Sequence, residues 1–139
     1  MRYLVDTNVL AEFRRPQPAP AVVAWLRATP PGNILTSVVV LGEILQGILA
    51  LEPRDPKRAA SLRRWLDRIE ATHAALPVDR AVIDRWAALR SAHPGKADFE
   101  DMLIAATASA HRLTVATRNL RDFEPLGVPV LDPWGWSEE

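Results

Sequence analysis

The 139-residue chain contains no cysteine. No disulfide framework can staple it and no thiolate can hold a metal. Its stability must come from a buried core, and the composition fits a reducing compartment. Lysine is confined to Lys57 and Lys96, and the three histidines, His73, His93 and His111, are scattered instead of clustered. Charge of either sign is not in excess, the formal net charge being +0. A nucleic-acid partner would therefore have to be met by a local basic patch, because the molecule carries no global field. Long apolar runs are missing too, which speaks against a membrane span. Met1-Arg2 leads straight into a strand-like run, without the basic, apolar and cleavage segments of a secretory leader. These features lead us to expect a cytoplasmic protein with no membrane association.

What is present suits one globular domain. An apolar content of 48% against 24% charged residues is enough for a sizeable core at this length. Tyr3-Leu4-Val5 reads as a short buried strand that stops on Asp6, with Thr7 and Asn8 following. Helical segments are expected over 9–15, 21–28, from Ser37 to about Leu51, from Asp55-Pro56 to about Thr72, from Asp79 onward, and over 99–111. Further strands are expected at 34–36, 113–117 and 128–131. Pro16-Gln17-Pro18-Ala19-Pro20 and Pro30-Pro31-Gly32-Asn33 interrupt the pattern, His93-Pro94-Gly95-Lys96 breaks it again, and Pro133 ends it. Strands alternating with helices imply an α/β fold, a small parallel sheet of four to five strands covered by helices on both faces. The domain should occupy 1–135, leaving a tail at 136–139.

Four acid or amide positions fall where strands or apolar helices would bring them to one sheet edge. Asp6 ends the first strand, where α/β folds bind ligands, although an Asp there also serves as an ordinary helix cap. Glu43 is the only charged residue in the eighteen from Ile34 to Leu51. A carboxylate on so apolar a helix is costly to bury unless it is paired or metal-bound, and the plain alternative is one solvent-facing side chain. Asp98-Phe99-Glu100-Asp101 opens a helix otherwise free of charge until His111. Asp98 and Asp101 there resemble a capping box, while Ala105 and Ala108 would let the Asp101 side pack closely on the sheet. Thr117-Arg118-Asn119, with Asp122, closes a later strand. An oxygen-only, carboxylate-rich site selects Mg²⁺ or Mn²⁺ over zinc.

The stretches Leu4-Val5-Asp6-Thr7-Asn8-Val9-Leu10, Thr36-Ser37 with Gly42-Glu43-Ile44 and Gly47, Asp101 to Ala108, Leu113 to Asn119 with Asp122-Phe123, and Val130 to Trp134 together resemble a PIN domain, specifically a VapC-type toxin of a toxin–antitoxin pair. The resemblance runs in order along essentially the whole chain. It implies that Asp6, Glu43 and Asp101 belong to the family's acidic quartet. The fourth place, often Asp, falls on Asn119, which offers an oxygen without charge, so that Asp122 would act as a ligand through water. Thr7 matches the hydroxyl beside the metal.

The activity so implied is a Mg²⁺-dependent endoribonuclease, with Mn²⁺ able to substitute, RNA as substrate, a cognate antitoxin as partner and a homodimer as the assembly. Arg14, Arg15, Arg118 and Arg121 are candidates for flanking phosphates. Trp65 and Trp86, on separate amphipathic helices, are candidates for a dimer face. The antitoxin is expected along the apolar helices near Val39, Leu45 and Trp25, with a basic side chain aimed at Asp6 and Asp101. Two other classes stay open on the residues alone. A phosphatase or receiver using Asp6 as covalent acceptor would want an acid at position 8, which is Asn, or a lysine after a late strand, where there is none. A catalytically inactive module that only binds RNA or protein would be separated from the enzyme by a metal titration.

Overall fold

The computed structural model describes residues 1–95 and 97–138. Lys96 of the expected break and Glu139 of the expected tail lie outside the described residues. The elements run β1 (Tyr3–Val5), α1 (Thr7–Arg14), α2 (Pro20–Ala28), β2 (Ile34–Ser37), α3 (Val38–Leu51), α4 (Pro56–Thr72), β3 (Ala75–Leu76), α5 (Arg80–Ala92), α6 (Phe99–His111), β4 (Thr114–Ala116), α7 (Leu120–Phe123) and β5 (Val130–Leu131). Three single 3-10 turns, at Pro31–Asn33, Glu124–Leu126 and Pro133–Gly135, fill the connections and the C-terminal end.

The five strands form one parallel sheet in the order β3-β2-β1-β4-β5. β1 lies at the centre: Leu4 pairs with Leu35 on one side and Val115 on the other. Its three residues are buried, as a strand covered on both faces must be. Successive strands step outward on one side of β1 from β1 to β3. The chain then crosses over and steps outward on the other side through β4 and β5. The reversal falls between β1 and β4, and that is where sheets of this type open a crevice beyond their carboxyl ends.

The helices form where their caps and apolar spacing direct. Asp6, Ser37, Asp55 and Asp79 each accept a hydrogen bond from a first-turn amide of the following helix. Proline stands in the first turn of α2 and α4, where its missing N–H costs nothing. α6 is buried from Met102 through Ala108; alanines at 105, 106 and 108 let it approach the sheet closely. It ends at Arg112, whose left-handed backbone (φ 55°) is the one positive-φ conformation outside glycine among the described residues. There the Leu113 amide bonds back to the Ala108 carbonyl at 2.9 Å.

Several expectations are corrected. α1 starts at Thr7, two residues earlier than expected, because Asp6 caps it directly. β3 is a strand that the pattern did not single out; two residues are too few to show a period, and pairing with Thr36 and Ser37 makes it. Asp98 caps α6 without a side-chain hydrogen bond, so the expected capping box does not form. The ordered chain continues beyond Pro133 through a 3-10 turn to Gly135 that packs against α2. Trp25 is buried with its ring edge-on to Tyr3, centroids 5.1 Å apart, and is not a surface that a partner could reach. Trp65 is likewise taken up by the core. Trp86 is half-buried and meets Phe99 edge-to-face at 5.7 Å.

Candidate active site

Asp6 sits at the reversal point, 5% exposed, directly after the central strand. Its amide donates to the Ala116 carbonyl of β4 at 3.0 Å, so the β1–β4 ladder carries on into the site. Its carboxylate is fixed from both sides. The Thr7 amide donates to Oδ1 at 2.8 Å, and the Thr117 hydroxyl donates to Oδ2 at 2.9 Å. Asn8 Nδ2 lies 3.5 Å from Oδ2 and 3.4 Å from Thr117 Oγ1, while Asn8 Oδ1 accepts from the Arg118 amide at 3.2 Å. Thr117, fully buried, is therefore the residue that joins β4 to the acid. Its hydroxyl also accepts from the Asn119 amide at 3.0 Å.

Glu43 comes from the second turn of α3, half-buried, and its Oε1 accepts from the Thr7 hydroxyl at 3.4 Å. Thr7 thus stands between Asp6 and Glu43. Asp101 comes from the first turn of α6, also half-buried, and makes no side-chain hydrogen bond or ion pair among the described residues. The proximity of the three shows in their proton affinities. Burial pushes the Asp101 carboxyl up to about 7, with Asp6, Asp122, Glu43 and Asp98 repelling its charge in turn. Glu43 is raised by burial and by Asp6, partly offset by the Thr7 bond. Asp6 is raised by burial against the lowering effect of Thr7 and Thr117, and Asp122 adds to the rise.

The remaining sequence candidates sit one layer out. Asn119 and Asp122 are exposed on the β4–α7 side. Asn119 bonds through its amide to Thr117, and its side chain reaches none of the three acids. Asp122 acts on Asp6 and Asp101 through its field. Arg118, Asn119, Arg121 and Asp122 line a neighbouring pocket.

The donors suit a hard divalent cation. They are oxygen-only, they repel one another, and no arginine or lysine among the described residues pairs with any of them. As the side chains lie, no three Asp, Glu or His groups among the described residues close round one point. Glu43 is restrained by one long bond and Asp101 by no side-chain hydrogen bond among the described residues.

Glu12 is an acid that sequence reading passed over. It is buried on α1 and accepts from the Ala19 amide at 2.7 Å and from Arg15 at 3.3 Å. The Ala19 bond, more than Arg15, holds its carboxyl below the usual range. Its signal was available: it stands three residues after buried Val9, on the inward face, just before the proline-rich segment.

A model of the PIN domain family matches residues 3–127. The chain belongs to the PIN domain family. Within that family it falls with the VapC-type proteins. Toxin FitB of Neisseria gonorrhoeae is 37% identical over 136 residues, covering 94% of this chain and 97% of that one. VapC ribonuclease Y4jK of Sinorhizobium fredii is 32% identical over 139 residues, covering 94% and 96%. The crystal structure of FitAcB from Neisseria gonorrhoeae superposes with a TM-score of 0.84 at 35% identity, covering 96% of this PIN domain and 99% of that chain.

Proposed function

We propose that this PIN domain is a Mg²⁺-dependent endoribonuclease, the toxic half of a toxin–antitoxin pair, with Mn²⁺ able to replace Mg²⁺. The observation that carries the reading is the convergence of Asp6, Glu43 and Asp101 from three separate elements on the reversal point of the sheet, with no basic side chain among the described residues paired to them. A structural role would favour an arginine there; a cation site requires its absence. The names of the Neisseria toxin and the Sinorhizobium ribonuclease support the same reading.

Asp6 and Asp101 would hold the ion, with Glu43 beside them and Asp122 reaching it through water. When bound, a divalent cation neutralises phosphate charge and lowers the pKa of a water. The chain's own residues do the positioning. Thr117 and the Thr7 amide clamp Asp6 so that its carboxylate cannot turn away. The Thr7 hydroxyl holds Glu43 Oε1, leaving Oε2 free to take a proton from the attacking water. Burial raises the proton affinity of Glu43, the direction a general base needs. Asn119 offers an amide oxygen at the rim in place of a fourth charge.

A nuclease acting on its own cell's RNA has to be restrained, so a cognate antitoxin belongs to the proposal. A basic side chain entering the acid cluster would supply the missing positive charge. A homodimer belongs to it as well: Ile83 and Phe99 (58% exposed) leave an apolar strip open along α5 and α6. No helix among the described residues is long and apolar enough to cross a membrane; an RNA substrate places the protein in the cytoplasm.

The test is cleavage of total RNA by the purified chain in Mg²⁺, in Mn²⁺ and in EDTA, beside Glu43→Gln. Cleavage in either metal, none in EDTA, and a loss of about 10- to 100-fold in Glu43→Gln are expected. Intact RNA in both metals, or full activity in EDTA, would refute the reading.

A further inference from the structure

A concentration of positive charge borders the acid site. Arg14 and Arg15 from α1, Arg58 from α4 and Arg118 from the loop after β4 line one groove of about 430 Å³, with Trp65 and Trp134 in its wall. In a chain of zero net charge, four arginines from three distant segments on one concave surface form the local basic patch that an anionic polymer needs. All four are exposed. The single acid in the lining, Glu12, is buried and already accepts from the Ala19 amide and Arg15. Arg58 and Arg118 form no ion pair among the described residues.

The groove is also aromatic. The Arg118 guanidinium lies 4.7 Å from the centre of the half-buried Trp134 ring, and Arg14 lies 6.0 Å from the centre of Trp65. Trp134 is held in turn by its amide, which donates to Asp132 Oδ1 at 2.9 Å. Stacking fixes a guanidinium in place while leaving its N–H edge free for a phosphate, so Arg118 is oriented before any ligand arrives.

Groove and acid site share a wall. Asn8 lines the groove, accepts from the Arg118 amide through Oδ1, and directs Nδ2 at Asp6 Oδ2. An extended strand with one phosphate at Asp6 would meet Arg118 with the next. We propose that this groove binds the single-stranded RNA segment adjoining the cleaved bond, with phosphates on Arg118, Arg14 and Arg58 and Arg118 held ready by Trp134. The assignment rests on the ribonuclease reading for its direction into the acid site. Acidic peptides would satisfy the arginines as well, but they give no reason for the groove to lead to the carboxylates.

The experiment measures binding apart from cleavage. Fluorescence anisotropy of a labelled unstructured oligoribonucleotide of about 20 nucleotides is followed in EDTA, at several salt concentrations, for the wild-type chain and for Arg58→Ala, Arg14→Ala and Arg118→Ala. Arg80→Ala on α5 is the control. Each groove variant should weaken binding about three- to tenfold and reduce the slope of log K against log salt by about 0.7, the value for one single-strand phosphate contact. The control should bind as wild type. Wild-type affinity in all three groove variants overturns the proposal, and is the outcome expected of a groove that serves a protein partner. Absence of measurable binding by the wild-type chain overturns it too. Cleavage in Mg²⁺ separates this from the ribonuclease reading. A chain that cuts RNA with an unaltered groove-variant profile loses the groove alone. A chain that cuts nothing, yet loses oligonucleotide binding in the variants, keeps the groove and loses the reaction.

Discussion

Two neighbouring surfaces of this domain treat charge in opposite ways. In the crevice beyond β1 and β4, Asp6, Glu43 and Asp101 repel one another with no basic group among the described residues paired to them. A few residues away, Arg14, Arg15, Arg58 and Arg118 crowd a groove in which the one acid is already engaged. A chain with equal numbers of acids and bases could pair them across that boundary and gain stability. Instead Asn8 stands between the two, neutral, bonding the Arg118 amide with one end and approaching Asp6 with the other. Segregation of this kind is unfavourable for the isolated fold, and it is most simply understood as a site waiting for a cation beside a surface waiting for an anion.

The hardest way to break the contrast is to remove one acid. Asp101→Asn should reduce RNA cleavage by about two orders of magnitude or more, while its melting temperature at pH 8 rises above that of wild type. Asp6→Asn should lose activity equally but gain less stability. An amide there puts a donor where Thr117 now donates, and Thr117 already accepts from Asn119 and Asn8. Activity assays with melting curves on the two variants check both statements; equal stabilisation would mean that the Thr117 bond contributes nothing.

A gentler probe is pH. Asp101 titrates near 7 when folded and near 3.8 when unfolded, so between those values the folded chain holds the extra proton. Stability from this group is therefore full below about pH 4, falls as pH rises through 7, and is flat beyond. Asp6 and Glu43 shift in the same direction. Glu12 shifts the other way, with its effect confined below its ordinary value of 4.5. From pH 5 to 8 the acid cluster lowers stability as pH rises, and the metal-free protein should melt lower at pH 8 than at pH 5.5. The difference should be on the order of 1–2 kcal/mol after allowing for solvent screening of half-buried groups. Asp101→Asn should flatten the dependence. Mg²⁺ should raise the melting temperature more at pH 8 than at pH 5.5, because the ligands must be deprotonated to bind it. Calorimetry across that range gives both slopes.

Much of the acid side could be read from the sequence because each acid interrupts an apolar pattern. Asp6 halts a buried strand, Glu43 is alone in its helix, and Asp101 opens a helix of alanines. What the pattern cannot carry is convergence. Asp98 fits a capping motif by spacing, yet its side chain makes no capping bond. β3 exists only because β2 offers it an edge. Trp25 reads as half of an amphipathic face and is instead enclosed, because the C-terminal turn at Pro133–Gly135 closes over α2. The groove was half visible: Arg14, Arg15 and Arg118 could be named as basic candidates. Arg58 belongs with them only because α4, packed on α3, brings its side chains against Arg14, and Arg121 turns out to line the adjoining pocket.

The smallest expected effect lies at the seam. Glu12→Gln keeps an acceptor for the Ala19 amide but gives up the charge that attracts Arg15. The melting temperature should drop by a few degrees at pH 7, and the gap to wild type should close in acid, where Glu12 is protonated. Affinity for the labelled oligoribonucleotide should rise slightly, since one negative charge has left the groove. A gap that persists unchanged at pH 3 would assign the loss to packing.

The strand order has a consequence for how the protein is made. β1 is the first of the five strands to be made and its partner β4 the fourth; Asp6 and the Thr117 hydroxyl that orients it are 111 residues apart in sequence. During synthesis Asp6 and Glu43 emerge early, on a half-built sheet whose central strand lacks one neighbour. Asp101 and Thr117 follow only when most of the chain is out, and non-local pairing of this kind forms late in any case. The acid crevice is thus incomplete in any chain that stops before α6 and β4. A translation product cut short before α6 carries Asp6 and Glu43 but neither Asp101 nor Thr117, so whatever chemistry the crevice performs waits for the second half of the domain.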